Sequence, residues 1–326
     1  MTAEAISSDL AAHDVMLVTS SAASASPAWS SQTGLWTSPW VPPPSSADQP
    51  GLPIYSITTF SDDVFNAACE GAPDAQMHLQ AASTAHLADL LMAEIGTAIE
   101  TGDFTKVLAS SRSFTTLDED GHPESFGDGI AREALFIAFK HYQDQRAVYF
   151  LDRLDGRATL QVNHTGFSAE VVPSSRTLAL KKLGAICALM LIMGNNIEPY
   201  DPCLFQYIVY DADINSLHPA FISEWHPEIC NAVRDWIDMG PEGSPAHFER
   251  WFVSYLDMAT ASLSERTSES HMALAAELLF KMIMGPQRLS HPEWASFVEG
   301  FRLRCRNGFD FTQVRFSYEC SGVIMT

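Results

Sequence analysis

The stretch from Arg176 to Met193 constrains this chain more than any other. Leu180, Leu183, Ala185, Ile186, Leu189, Met190 and Ile192 leave it almost no polar side. A helix that is apolar all round must be surrounded, either by lipid or by other elements of its own fold. The unbroken apolar run, Leu183 to Met193 closed by Gly194, is about half of the roughly twenty residues that a bilayer span requires. The surround is therefore protein, and the flanking segments must wrap a central buried helix.

Those flanking segments carry the periodicity needed to do so. Leu87, Leu90, Leu91, Ile95 and Ile99 recur at three and four residues, which predicts an amphipathic helix ended by Gly102. Ile130, Ala134, Ile137, Ala138 and Phe139 share one face of a helix over 130–142, opened by Gly127-Asp128-Gly129. Three further starts use one device, a polar residue followed by proline at the first helical position: Asp201-Pro202, His226-Pro227 and His291-Pro292. Behind them run the apolar stripes Leu204, Phe205, Ile208, Val209; Ile229, Val233, Trp236, Ile237; and Trp294, Phe297, Val298, Phe301. A longer helix over Met272–Met284 stops at Gly285-Pro286.

Strand signals are few. Val148 and Phe150 alternate with polar neighbours, Asp155-Gly156 is a turn, and Thr159 to Val162 returns as a partner strand. Ile54 to Ile57 reads as a short extended segment, Asp62 to Ala68 as one or two helical turns, and Asp118-Glu119-Asp120-Gly121-His122-Pro123 as an acidic turn. Val314, Phe316 and Tyr318 fit a strand or a last helical turn. The expected fold is mostly α with a small β-hairpin component, an α+β arrangement of seven to nine helices. Residues 1–50, with eleven serines and six prolines, form an expected disordered arm, leaving 51–326 for the folded domain.

Charge narrows the function classes. The chain carries a net charge of −21, and its first basic residue is Lys106. Residues 1–105 hold twelve acidic side chains and no basic one. Eight of the twelve lie between Gly51 and Asp103, which predicts an acidic face around the first long helix. Phosphate neutralisation needs clustered Lys and Arg, so nucleic acid is not an expected partner. The start has neither the basic-then-apolar pattern of a secretory signal nor the Arg-rich, acid-poor character of a mitochondrial one. With no membrane span, the expected location is cytoplasmic or nuclear. The six cysteines lack a C-x-x-C pair and should be reduced thiols, and Asn163-His164-Thr165 should carry no glycan.

Chemical motifs are mostly absent. There is no phosphate loop, no G-x-S-x-G elbow, no H-E-x-x-H and no kinase signature; Gly127-Asp128-Gly129 has Arg132 where a dinucleotide fingerprint needs its third glycine. No cofactor is expected. His218, His226 and Cys230 are the nearest to a zinc set, 226 and 230 being one helical turn apart. A fourth ligand is missing, and beside Pro219 and Pro227 these histidines read better as helix starts, so no metal is assigned. Arg132 and Glu133 are adjacent on a helix and cannot face one another. The acidic turn lacks the ligand alternation of a calcium loop. Cys320 follows Glu319, whose charge opposes a thiolate.

The order of segments nevertheless resembles a family. Gly127-Asp128-Gly129-Ile130-Ala131-Arg132-Glu133, preceded by the acidic turn and followed by Phe136, resembles the "G-G-V-x-R-E-(F/W)" stretch of HECT-type ubiquitin ligases. Thr159 to Asn163 is similar to that family's short strand before its central helix. Leu183-Gly184-Ala185 through Met193-Gly194 resembles its "LG-x-x-x-x-x-A-x-x-x-G" helix, and Tyr200-Asp201-Pro202 to Tyr207 its following helix. Leu217 to Trp236 is similar to the run containing "D-P-E", with Pro227-Glu228 kept and His226 in place of aspartate. Phe297-Val298-Glu299-Gly300-Phe301 resembles "F-x-x-G-F", and Phe316-Ser317 the stretch near the lobe hinge, which favours helix or loop there.

The resemblance spans about residues 80–324 and implies a HECT N-lobe-like helical domain in the ubiquitin pathway, with a protein partner that in the family includes a ubiquitin-conjugating enzyme. Two departures accompany it. The sequence given stops at the family's lobe hinge, so the C-lobe with its thioester-forming cysteine is absent, and Glu319-Cys320-Ser321 lacks the Thr-Cys-Phe context of that cysteine. Between Trp236 and His271 the chain is short and lacks the strand-rich insertion where the conjugating enzyme docks. No catalytic residue of the family therefore carries over. The resemblance implies a ubiquitin-ligase-related module, not catalytic alone; a non-catalytic interaction scaffold unrelated to ubiquitin transfer is the alternative, and a small-molecule enzyme has no motif behind it.

Overall fold

The computed structural model describes residues 60–153, 156–162, 172–209, 217, 222–223, 225–263, 265–286 and 291–313. The arm over 1–50, the extended segment at 54–57, the 163–165 sequon, His218, Cys320 and the terminal stretch from Val314 lie outside these residues.

The first unit is a helix-backed mixed sheet. Helix α1 (Phe60–Ala68) leads to strand β1 (Gln76–Ala81), helix α2 (Thr84–Thr101), strand β2 (Ser111–Leu117) and strand β3 (Pro123–Phe126). In β1, Met77, Leu79 and Ala81 point inward while Gln76, His78 and Gln80 face out, the period-two pattern of a half-buried strand. β1 pairs in parallel with β2, Gln76 opposite Ser111 and Ala81 opposite Thr116; α2 supplies the crossover that parallel pairing requires. Ser83 caps α2 by accepting the His86 N–H at 3.2 Å, and Gly102 closes it at φ 67°, a left-handed conformation that favours glycine. β3 returns antiparallel to β2 across the acidic turn, giving the order β1-β2-β3.

Helix α3 (Asp128–Gln143) follows, buried along Ala131, Ala134, Leu135, Ala138, Phe139 and Tyr142. After a single helical turn, Arg146–Tyr149, strands β4 (Phe150–Asp152) and β5 (Ala158–Leu160) form the expected hairpin. Helix α4 (Ser174–Ile192) is the central helix, buried on all sides from Leu183 to Ile192. Helices α5 (Pro202–Val209), α6 (Pro227–Met239), α7 (Ser268–Met284) and α8 (Pro292–Phe301) complete the fold. The starts of α5, α6 and α8 agree with the polar-residue-then-proline reading: Asp201 Oδ1 accepts the Cys203 N–H at 2.9 Å and His291 Nδ1 accepts the Glu293 N–H at 3.2 Å, while His226 occupies its cap position without a side-chain cap bond.

α4 packs on α2, α3 and, most extensively, α8. The α4–α8 contact is made by two glycines. A Cβ on Gly184 would fall inside van der Waals contact with Phe297 O and 2.9 Å from Phe301 N; one on Gly300 would lie 2.6 Å from the Lys181 carbonyl carbon. The two backbones touch because neither glycine has a side chain. The same apolar core extends between α6 and α7, where Trp236, Phe248, Phe252 and Leu278 are all buried.

The fold is mostly α with a small β component, as expected, with eight helices of eight or more residues among the described residues. Three details differ. The three-stranded sheet was not anticipated: β2 lies in a stretch of mixed residues, and the β1 alternation is short. Val148, expected in a strand, ends up half-exposed in the helical turn, and pairing begins only at Phe150. α7 begins at Ser268, four residues before Met272, because Thr267 and Ser270 form a reciprocal cap. The face expected to be acidic is partly neutralised, Asp89 and Glu100 being exposed while Glu94 pairs with Lys106 and Asp103 with Arg306.

Candidate functional site

The hairpin β4–β5 and the starts of α5 and α6 bring together Asp201, Cys203 and His226, among the described residues the one buried group of three side chains of metal-ligand type. Asp201 caps α5 and is fully buried. Its Oδ2 lies 2.7 Å from His226 Nε2 and 2.5 Å from Arg153 Nη1. Arg153, at the end of β4, also donates to the Ile283 carbonyl at 3.0 Å, and Thr159 Oγ1 donates to the Met284 carbonyl at 3.0 Å. One guanidinium thereby joins a hairpin, the start of α5 and the last turn of α7, where unpaired carbonyls attract a cation.

The electrostatics of this cluster are those of a closed hub. Burial alone would raise the Asp201 pKa, but contact with His226, the charge of Arg153 and the Cys203 N–H together outweigh it and hold the carboxyl below the usual range. Burial pushes the Cys203 thiol well up, and the adjacent Asp201 charge adds to the effect. Asp, Cys and His in an open cleft could hold a metal or activate a thiol. Here burial disfavours the thiolate, all three side chains are buried, and Arg153 already lies against the carboxylate. The arrangement organises the fold and offers no nucleophile.

The sequence-expected residues are distributed differently. His226 faces Asp201 rather than pairing with Cys230, whose Sγ accepts from Arg234 Nη2 at 3.7 Å one turn along α6. Arg132 and Glu133 are both exposed on α3. Asp118, Asp120 and His122 converge on the exposed turn, where Asp118 Oδ1 accepts the Asp120 and His122 backbone N–H groups, as a solvated loop does.

Two further buried charge networks were missed. Arg176, on the first turn of α4, donates to the Gln161 carbonyl (2.7 Å), the Val148 carbonyl (3.0 Å) and Glu293 Oε2 (3.0 Å) beneath the Tyr149 ring. Arg266 donates to His271 Nδ1 at 3.3 Å, to the Gly243 carbonyl at 2.8 Å and to the Leu263 carbonyl, while His271 Nε2 lies 2.8 Å from the Trp236 carbonyl. The available signal was a lone arginine opening an otherwise apolar helix.

Four of the five described cysteines, Cys187, Cys203, Cys230 and Cys305, are buried. Burial raises the Cys187 and Cys230 thiols and pushes Cys305 up to about 12. Cys69 is half-buried and donates to the Leu108 carbonyl at 3.3 Å. Between α6 and α7 the described residues hold only short helical turns and no strand. No described helix is long and apolar enough to cross a membrane. Compared with known proteins, the chain matches neither a protein-family model nor a curated protein.

Proposed function

We propose that the chain is a HECT N-lobe-like module of the ubiquitin pathway, acting through protein contacts and not catalytic by itself. The observation that carries this reading is the α4–α8 crossing. Gly184 and Gly300 are the glycines of the two segments that resemble the family's central "LG" helix and its "F-x-x-G-F" helix, and each is sterically required by the other segment's backbone. Motifs quoted from separate parts of the sequence thus meet in one contact. The glycine-led start of α3 after an acidic hairpin supports the same reading: Gly127 has φ 108°, a conformation that side chains disfavour.

The absence of catalysis rests on the thiols. A thioester acceptor must be accessible and readily deprotonated; Cys187, Cys203, Cys230 and Cys305 are buried, with thiols pushed up by that burial, and Cys69 is only partly exposed. Free cysteines also suit a reducing cytosolic or nuclear setting.

The test is direct. The full chain is incubated with activating enzyme, a panel of conjugating enzymes, ATP and labelled ubiquitin, and resolved on non-reducing gels; binding of each conjugating enzyme and of ubiquitin is followed in parallel by interferometry. Saturable binding of a conjugating enzyme or of ubiquitin, with no thiol-sensitive ubiquitin adduct on the chain, is expected. An adduct abolished by reductant would refute the non-catalytic part. Absence of binding to every member would remove the ubiquitin reading and favour a scaffold outside that pathway.

A further inference from the structure

The hairpin β2–β3 combines three properties that point to a partner. β3 is the edge of its sheet, so alternate residues turn their backbone N–H and C=O groups away from β2 with no strand among the described residues to receive them. Phe126, the last residue of β3, is 77% exposed, the most exposed of the large apolar side chains among the described residues. Residues 118–128 carry Asp118, Glu119, Asp120, Glu124 and Asp128, all exposed, with no Lys or Arg among them. Only Asp128 faces a cation, the guanidinium of Arg112, which itself packs 3.7 Å over the Phe65 ring. Asp118 has His122 at 3.7 Å, and the other three have no basic partner among the described residues.

An open strand edge is normally protected by charge or proline, and Pro123 and Glu124 give β3 that protection against a second copy of this chain. Edge-to-edge pairing of two such hairpins would bring ten carboxylates together. The same charge attracts a strand of opposite sign. An apolar side chain left in the middle of an acidic rim has the layout of an interface centre, with Phe126 as the anchor and the carboxylates as steering groups.

The geometry points to β3 as a docking edge for a basic, extended protein segment, which adds as a fourth strand, covers Phe126 with an apolar residue and sets Lys or Arg against Glu119, Asp120 and Glu124. Backbone pairing supplies the register, and the charges supply the choice of partner. This inference goes beyond the ubiquitin-pathway reading and does not depend on it.

The test uses the full chain and a fluorescein-labelled heptapeptide alternating lysine with threonine around a central valine, read by fluorescence anisotropy at low and near-physiological salt. A second peptide carries N-methyl groups on alternate amides, keeping the charge and blocking strand pairing; a third has glutamate for lysine. Expected results are saturable binding of the first peptide, at least about tenfold weaker binding of the N-methylated one, and none of the acidic one. Phe126→Ala should weaken binding about fivefold and the pair Glu119→Lys with Glu124→Lys about tenfold or more, while Asp235→Lys with Asp238→Lys on α6 changes it less than about twofold. All these positions are exposed, so unchanged melting curves will confirm that the variants fold. Equal binding of the N-methylated peptide, equal losses from the two charge-reversed pairs, or no binding at all would overturn the proposal. So would concentration-dependent dimerisation abolished by Phe126→Ala, which would assign the edge to a second copy.

Discussion

Replacing Gly184 with alanine places one methyl group where two backbones already touch. The new carbon would lie 2.9 Å from Phe301 N and 3.0 Å from the Phe297 carbonyl carbon, and closer still to Phe297 O, whereas ordinary contact begins near 3.4 Å. All three atoms are helix backbone, so no side chain can rotate aside and α8 must retreat as a body by about 1 Å. A gap of that size forfeits about a quarter to a half of the dispersion energy of each contact it opens. The contacts at risk involve Trp294, Phe297 and Phe301, all fully buried. Overpacking costs about 1–3 kcal/mol, and this site belongs at or above the upper end. Against it stands about 1 kcal/mol from alanine's better helix propensity. The net expectation is a loss of about 2–3 kcal/mol, the difference of those two terms.

Gly300→Ala meets the Lys181 carbonyl carbon at 2.6 Å and Cα at 2.8 Å and should behave alike. Because one retreat of α8 relieves both clashes, the double variant should cost less than the sum. Gly96→Ala on α2 is the control. It meets only Lys182 Nζ at 3.0 Å and Cε at 3.1 Å, the movable end of a long side chain, so it should be neutral or stabilising by up to about 1 kcal/mol. Urea midpoints from far-UV circular dichroism read the series. Midpoints for Gly184→Ala and Gly300→Ala equal to that of Gly96→Ala would refute the close crossing.

Two further outcomes follow from the buried charges. Burial, with the neighbouring Arg266 charge, lowers the His271 pKa below 6.5 despite its bond to the Trp236 carbonyl. The unfolded chain then binds this proton more readily than the folded one, so the stability tied to His271 is present above the ordinary histidine pKa and is lost as pH falls below it. Urea midpoints between about pH 8 and pH 5 should fall more steeply for the wild type than for His271→Gln; parallel curves would exclude the linkage. Asp201→Ala removes the carboxylate that faces the buried His226 and the partly covered Arg153 and should cost about 3–5 kcal/mol. Asp201→Asn, which can still accept the Cys203 N–H, should cost less, and equal losses would mean that the charge rather than the cap matters.

Most of the longer helices were legible because they are announced twice, by an apolar stripe and by a terminal signal. Asp201-Pro202, His226-Pro227 and His291-Pro292 located three starts to the residue. The sheet was not legible, because β1 has only six residues, β3 only four, and β2 buries three consecutive residues, Phe114, Thr115 and Thr116, which destroys its alternation. The polar hub was half legible. His226 and Asp201 stood out individually as helix starts, but their meeting depends on Arg153, which lies 48 residues before Asp201 in the chain. Spacing along one helix suggested Cys230 as the neighbour of His226; tertiary packing supplied Asp201 instead.

An all-round apolar helix carries a problem of its own. α4 gains nearly the same burial at any angle of rotation about its axis, so hydrophobicity supplies adhesion without choosing an orientation. Two features of α4 break that degeneracy, and both address α8. Arg176 reaches Glu293 at one end, and Gly184 admits the Phe297 carbonyl two turns further on. Turning the helix by one residue would strand a buried guanidinium and drive a side chain into the backbone of α8. The rotational register of the core is thus set by one buried charge and one missing methyl group, whereas exchanging a surrounding leucine for isoleucine should cost less than about 1.5 kcal/mol.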